Sequence, residues 1–214
     1  MRTFLIIGMG TFGHHLCKEI LEQKAEVMVV DNDEACLEDV LHLGVSAKIA
    51  DCTNKEALES FDIPSFDCCF VCLGGNFQSS LQATDLLKEL GAKKIYSKAE
   101  SDIQAKFLSR AGADYIIYPE QEVAKRIAVS EHSDKIFDFI KLGDDFSIYE
   151  IEVNDKWVGK TVMQVNVRAN YNLNIIGTKK DEIVRPMPGP DYKFTKKERL
   201  LVIGRAKDVE RVIK

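Results

Sequence analysis

Apolar and polar positions alternate along this chain at the scale of whole segments. Short apolar runs of strand length lie at Thr3–Ile7, Glu26–Val30, Ser46–Ala50, Asp67–Leu73, Lys94–Ser97 and Tyr115–Tyr118. Segments with helical spacing separate them at Thr11–Glu22, Glu34–Leu43, Lys55–Phe61, Phe77–Leu90 and Asp102–Ala111. Within Phe77–Leu90, Leu81, Leu86, Leu87 and Leu90 mark an apolar stripe. Gly44, Gly91 and Gly112 each follow a helical segment, as C-terminal caps do. Strands that alternate with helices imply a parallel sheet wrapped on both faces. The pattern therefore predicts an α/β domain over residues 1–118, a Rossmann-like doubly wound parallel sheet of six strands.

Pro119 marks the next boundary, since proline starts a helix and cannot continue one. From Glu120 the chain reads as helix for about twenty residues, to Leu142-Gly143, with Val123, Ile127, Ile136, Phe139 and Ile140 as apolar positions. So long an apolar segment predicts a connecting and dimerisation helix over 119–142. After Gly143 the pattern changes. Strands are expected at Ser147–Val153, Asn174–Thr178, Ile183–Arg185 and Leu200–Gly204, with helices at Thr161–Gln164 and Asp208–Ile213. Pro186, Pro188, Gly189 and Pro190 read as a loop. Residues 143–214 are thus expected to form a small α+β domain.

The densest chemical signal lies in the first thirty-one residues. Thr3–Ile7 runs straight into Gly8-Met-Gly-Thr-Phe-Gly13, which fits G-x-G-x-x-G. A helical segment and a second apolar run follow, ending in Asp31. Gly8 allows a tight turn off the strand, Gly10 leaves room for a phosphate, and Gly13 lets helix and strand pack closely. The N–H groups of Thr11 and Phe12 at the helix start face an anion held there. Asp31, eighteen residues beyond Gly13, can accept hydrogen bonds from a ribose. Ligands of such sheets bind outside the carboxyl ends of the strands. That rule adds Asp51, Cys52 and Thr53 after the third strand, Gly74, Gly75 and Asn76 after the fourth, and Lys98 after the fifth. Asp51 and Thr53 can meet an adenine edge, and Lys98 a phosphate.

Composition narrows the classes. The 214 residues carry a net charge of −5, which implies no general affinity for nucleic acid. No apolar run approaches the roughly 18 residues that cross a bilayer, so a cytosolic location is expected. All six cysteines lie in the first third of the chain. Cys69 and Cys72 form a C-x-x-C inside an apolar run, where residues three apart face opposite sides of a strand. Buried structural thiols are expected there rather than a metal or redox pair.

A nucleotide domain invites comparison with dehydrogenases, which set a general acid or base beside the nicotinamide. Residues 143–214 hold no histidine and no cysteine, and no full G-x-x-x-x-G-K-[ST] phosphate loop occurs anywhere, since Asn154 precedes the lone Gly159-Lys160-Thr161 where the first glycine would stand. The expectation is a non-enzymatic nucleotide sensor. An NAD-dependent oxidoreductase and a nucleotide-binding scaffold are the alternatives.

Several motifs in register carry a resemblance. Gly8–Gly13, Asp31, Ala50-Asp-Cys-Thr53, Gly74-Gly-Asn-Phe-Gln78, Lys98-Ala-Glu100 and Gly112-Ala-Asp-Tyr-Ile-Ile-Tyr-Pro-Glu120, with Val165–Tyr171 and Ile175-Ile-Gly177, together resemble the regulatory subunits of Trk/Ktr potassium transporters, the RCK proteins with TrkA-N and TrkA-C domains. The resemblance implies a homodimer that builds a tetrameric or octameric ring. The ring docks at the inner face of the cell membrane onto a separate potassium-conducting subunit, and an adenine nucleotide (ATP, ADP, AMP or NAD(H)) gates it. It implies that Glu120 helps bind Mg²⁺ or Ca²⁺. It also implies that Arg168, Asn170, Tyr171 and Ile175 lie where some relatives take a cyclic dinucleotide. The chain departs from many Ktr-type members at Thr11, where they carry an arginine that reaches the terminal phosphates. A hydroxyl does not replace that charge-assisted contact.

Overall fold

A computed structural model describes residues 1–214 and divides the chain into two compact units, Met1–Gln121 and Glu122–Lys214. In the first unit six parallel strands run β1 (Thr3–Ile7), β2 (Glu26–Asp31), β3 (Ser46–Ile49), β4 (Cys68–Val71), β5 (Ile95–Lys98) and β6 (Tyr115–Ile117). Their order in the sheet is β3-β2-β1-β4-β5-β6. The strand order reverses between β1 and β4, which opens a crevice at their carboxyl ends. The helices are α1 (Thr11–Glu22), α2 (Ala35–Leu41), α3 (Lys55–Glu59), α4 (Phe77–Glu89) and α5 (Asp102–Arg110).

Each sheet face has its own core. Leu5, Ile7, Val71, Leu87 and Ile95 centre one cluster, and Ile6, Met9, Cys17, Val29 and Val40 centre the other. The alternation of Leu5, Ile6 and Ile7 between the clusters is the period-two geometry of a strand buried on both faces. Cys69 belongs to the first cluster and Cys72 to the second, so the two thiols lie on opposite faces. The buried face of α4 runs through Ser80, Ala83, Thr84 and Leu87, while Leu81, Leu86 and Leu90 pack only at its margin. Small residues let α4 lie close on β5, where the Thr84 and Ser97 hydroxyls meet at 2.9 Å.

Past β6 the structure corrects the expectation of one helix to Leu142. Helix α6 (Pro119–Glu131) stops at Glu131, and Ile136–Lys141 is a strand, β7. The second unit accordingly starts at Glu122, not after Gly143. Ile-Phe-Asp-Phe-Ile, rich in aromatic and β-branched side chains, suits a strand. Beside β8 (Ser147–Glu152), with a bulge between Ile136 and Asp138, it buries Ile136 and Phe139 in the second unit's core. That burial overrides the helical spacing. Along α6 itself no residue is buried, and Val123 and Ile127 each remain 57% exposed.

The second sheet is antiparallel, β10-β9-β11-β8-β7, with β9 (Asn174–Lys180), β10 (Ile183–Pro186) and β11 (Arg199–Gly204). Helices α7 (Val162–Val165), α8 (Val167–Tyr171) and α9 (Ala206–Ile213) complete it. Thr161 and Gln164 form a reciprocal capping box that starts α7. Asn166 and Asn172, both left-handed, bound α8. No helix of the chain is long and apolar enough to cross a membrane.

Candidate functional site

The glycine turn between β1 and α1 is fixed from both neighbouring strands. Gly8 adopts φ +93°, and its N–H donates to the Val30 carbonyl at 2.8 Å. A side chain at Gly8 would meet Leu73 Cδ2 at 2.9 Å and the backbone after β4 at 3.0 Å. A Cβ on Gly13 would lie 2.1 Å from the Gly8 carbonyl oxygen. Gly13 thus allows the first turn of α1 to sit against the end of β1. Gly10 precedes α1, and space is open where its side chain would be. The N–H groups at the start of α1 have no side-chain cap, which leaves them to an incoming anion.

Asp31 has a second task that its sequence position does not reveal. Its Oδ2 accepts from the Met9 N–H at 2.6 Å, and its Oδ1 accepts from the Asp33 N–H at 3.0 Å. The carboxylate therefore holds the glycine turn in place. His14 Nε2 donates to the Cys36 carbonyl at 2.9 Å, tying α1 to the start of α2.

Local hydrogen bonds hold the other strand ends. Asp51 Oδ1 accepts from both the N–H and the hydroxyl of Thr53, at 2.9 and 2.7 Å. Those bonds hold its carboxyl below the usual range. Asp51 and Thr53 thus bind each other as a turn, with Gln82 of α4 donating to the Thr53 carbonyl at 3.1 Å. Cys52 is a correction: its side chain is buried in the core, and burial pushes its thiol up to about 12. Phe12 is another, because its ring packs into the second core and lines an open hollow on the sheet face with Phe4, Leu16 and Phe70. Only backbone groups then remain, for Cys52 after β3 and for Phe12 in the first turn of α1. Asn76 caps α4 by accepting from the Ser79 N–H at 3.1 Å. Gly74 and Gly75 turn beside Lys98, whose ammonium lies 3.5 Å from where a Gly74 side chain would sit.

Lys98 does not stand alone. Its Nζ donates to Glu120 Oε1 at 2.6 Å, and this contact holds the Glu120 carboxyl below the usual range. Glu100, which sequence reasoning missed, accepts from the Gly75 N–H at 3.1 Å and so braces that turn. Its signal was its place two residues past a strand end.

In the second unit the four expected ligand residues do not converge. Arg168 lines a hollow of about 730 Å³ with Asn172, Asn174, Arg205, Lys207, Arg211 and one acid, Asp208, which pairs with Arg211 at 3.6 Å. Tyr171 instead packs against Trp157, the two rings tilted at 58° with centroids 5.2 Å apart, and Ile175 packs against the core. The Asn170 side chain donates to the Val165 carbonyl at 2.8 Å. The cations that accompany Arg168 come from the last ten residues, where Arg205, Lys207 and Arg211 cluster visibly in the sequence.

A glycine turn at the switch point of a 3-2-1-4-5-6 sheet, closed by an acid at the end of β2, defines a Rossmann nucleotide-binding domain, here followed by a small antiparallel domain. Residues 4–119 match the TrkA-N domain, and residues 146–214 match the TrkA-C domain. The chain is 35% identical to the Ktr system potassium uptake protein C of Bacillus subtilis (strain 168), over 98% of this chain and 95% of that protein. It is 33% identical to the Ktr system potassium uptake protein A of the same organism, with the same coverage. The chain belongs to the Trk/Ktr potassium-uptake protein family, built from a TrkA-N and a TrkA-C domain. Among solved structures, the GsuK RCK domain superposes with a TM-score of 0.68 at 17% identity, over 99% of this chain and 47% of that one. The GsuK channel bound to NAD superposes at 0.70 and 17% identity, over 100% of this chain and 39% of that one. The chain thus spans half or less of those structures, and they share its fold.

Proposed function

We propose that this chain is a nucleotide-sensing regulatory subunit of a potassium uptake system, without catalytic activity of its own. It is expected to act at the cytosolic face of the membrane. The observation that carries this reading is the pinned glycine turn at the sheet's switch point, in a chain made of a TrkA-N and a TrkA-C domain. The open space at Gly10 and the uncapped start of α1 suit a phosphate, and Asp31 suits an adenosine ribose. The relatives bear the name of potassium uptake proteins, and one structural neighbour binds NAD.

Self-association is part of the proposal. Val123 and Ile127, one turn apart on α6 and uncovered, support a contact with a second copy and a larger ring built on the dimer. The contact is drawn to α6 alone, since Ile136 and Phe139 are committed to the second core. A divalent cation fits less well within one chain. Glu120 is a single carboxylate already paired with an ammonium, and no group of three ligating side chains gathers around it. Donors from outside the chain would be needed. The cationic hollow at Arg168 suits a phosphodiester ligand such as a cyclic dinucleotide, with contacts from Arg205, Lys207 and Arg211 in place of Tyr171.

The experiment is calorimetry of the purified full chain against ATP, ADP, AMP and NADH, with mass spectrometry of whatever co-purifies. Binding of at least one adenine nucleotide, and no turnover of NADH with carbonyl substrates, is the expected result. Steady NADH oxidation would refute the sensor reading, and binding of none would leave a scaffold.

A further inference from the structure

The ion pair between Lys98 and Glu120 sits at the edge of the crevice, in continuous contact with the glycine turn. Gly8 abuts the backbone of Cys72 and Leu73, and the next residue, Gly74, lies against both the Lys98 ammonium and the Glu100 carboxylate, whose Oε1 is already taken by the Gly75 N–H. Lys98 also makes its charge felt at Cys72: burial raises that thiol to about 12, and the lysine pulls it down. The lysine side chain is 11% exposed, whereas Glu120, on the first turn of α6, is 68% exposed. The ammonium has three donors, and Glu120 takes one of them.

Position 11 holds threonine, so the α1 side of the crevice supplies no formal charge for terminal phosphates. Lys98 supplies one from the β5 side. We infer that Lys98 is the phosphate-selecting cation of this site and that Glu120 competes with the ligand's phosphates for it. This rests on the nucleotide reading above. A polyphosphate arriving beside Gly74 carries more charge than one carboxylate, and it draws the ammonium inward. The Glu120 end of the pair is open to water, which takes the place of the ammonium at the carboxylate, so the exchange is cheap. When Lys98 turns to phosphate, Glu120 loses its partner. Occupancy of the cleft is thereby transmitted to the start of α6, the helix proposed for self-association.

The test uses the full chain in metal-free buffer with chelator, and ATP and adenosine as probes. Glu120→Gln removes the competitor and is expected to tighten ATP about five-fold, with adenosine unchanged. Lys98→Met is expected to weaken ATP roughly ten- to a hundred-fold, again without effect on adenosine, and Lys98→Arg recovers most of the loss. The double variant should match Lys98→Met. Hydrogen exchange at residues 119–131 should rise on ATP binding in wild type and be raised already in Glu120→Gln. Glu120→Gln binding ATP no more tightly than wild type overturns the inference, as does an equal loss of ATP and adenosine in Lys98→Met. A wild-type chain that binds neither probe overturns the nucleotide reading itself, and this inference with it.

Discussion

Replacing Gly13 by alanine tests the construction of the nucleotide turn most directly. The added Cβ would lie 2.1 Å from the Gly8 carbonyl oxygen, where non-bonded heavy atoms settle at roughly 3.5 Å. The turn or the helix must therefore move by about 1 Å or more. Neither moves freely. The turn is pinned by the Gly8 N–H to Val30 at 2.8 Å and by the Met9 N–H to the Asp31 carboxylate at 2.6 Å. Loss of one neutral and one charge-assisted hydrogen bond costs about 3 kcal/mol, at the upper end of ordinary overpacking, roughly 1–3 kcal/mol. For a chain of this size, each kcal/mol lowers the melting temperature by about 2–4 °C. Gly13→Ala is thus expected to melt roughly 6–12 °C lower by circular dichroism. Gly10→Ala is the matched control. Nothing lies within 4 Å of its new Cβ, so the fold should lose about 1 kcal/mol or less, the penalty for alanine ahead of a helix. Its nucleotide affinity should fall nonetheless, because the methyl group occupies the phosphate approach. Gly13→Ala melting within about 2 °C of wild type would refute the close-packing argument, and unchanged affinity in Gly10→Ala would refute the phosphate placement.

Asp31→Ala should weaken ATP, ADP and NAD together and also lower stability by about 1–3 kcal/mol, because the Met9 N–H loses its acceptor. Wild type should discriminate against NADP, and equal calorimetric affinity for NAD and NADP would contradict the ribose role of Asp31. Val123→Asp with Ile127→Asp should shift the sedimentation of the full chain toward monomer with its melting temperature nearly unchanged, since neither side chain is buried; an unaltered oligomer places the contact elsewhere. Asp138 takes the Arg126 guanidinium at 2.6 Å, which holds its carboxyl below the usual range. Its folded value is depressed, so its stabilisation is present above the unfolded value near pH 4 and is lost as pH falls through the folded value. Arg126→Gln should lower stability only slightly at pH 7, as the pair is partly exposed. It should also flatten the fall in urea midpoint below about pH 4, and an identical slope in both proteins would remove the pair from the acid response.

The first unit was legible in the sequence because its signals are local and agree. Strand-length apolar runs, glycine-ended helices and the G-x-G-x-x-G turn each demand the same alternation, and Gly8, Gly13 and Asp31 stand where backbone geometry requires those residues. The opposed faces of Cys69 and Cys72 followed from the period of a strand alone. Tertiary structure decided the points at which two local readings compete. Ile136–Lys141 carries helical spacing and strand-forming side chains at once. Pairing with β8, a partner that enters later in the chain, turned it into a strand and ended α6 at Glu131. The roles of Phe12, Cys52 and Tyr171 were decided in the same way, since backbone position put them near a ligand and apolar burial drew their side chains into a core. The pairing of Lys98 with Glu120 joins residues twenty-two apart in sequence. Their charges were legible from the chain, but only the sheet, by carrying β5 beside the start of α6, brought them within hydrogen-bonding distance.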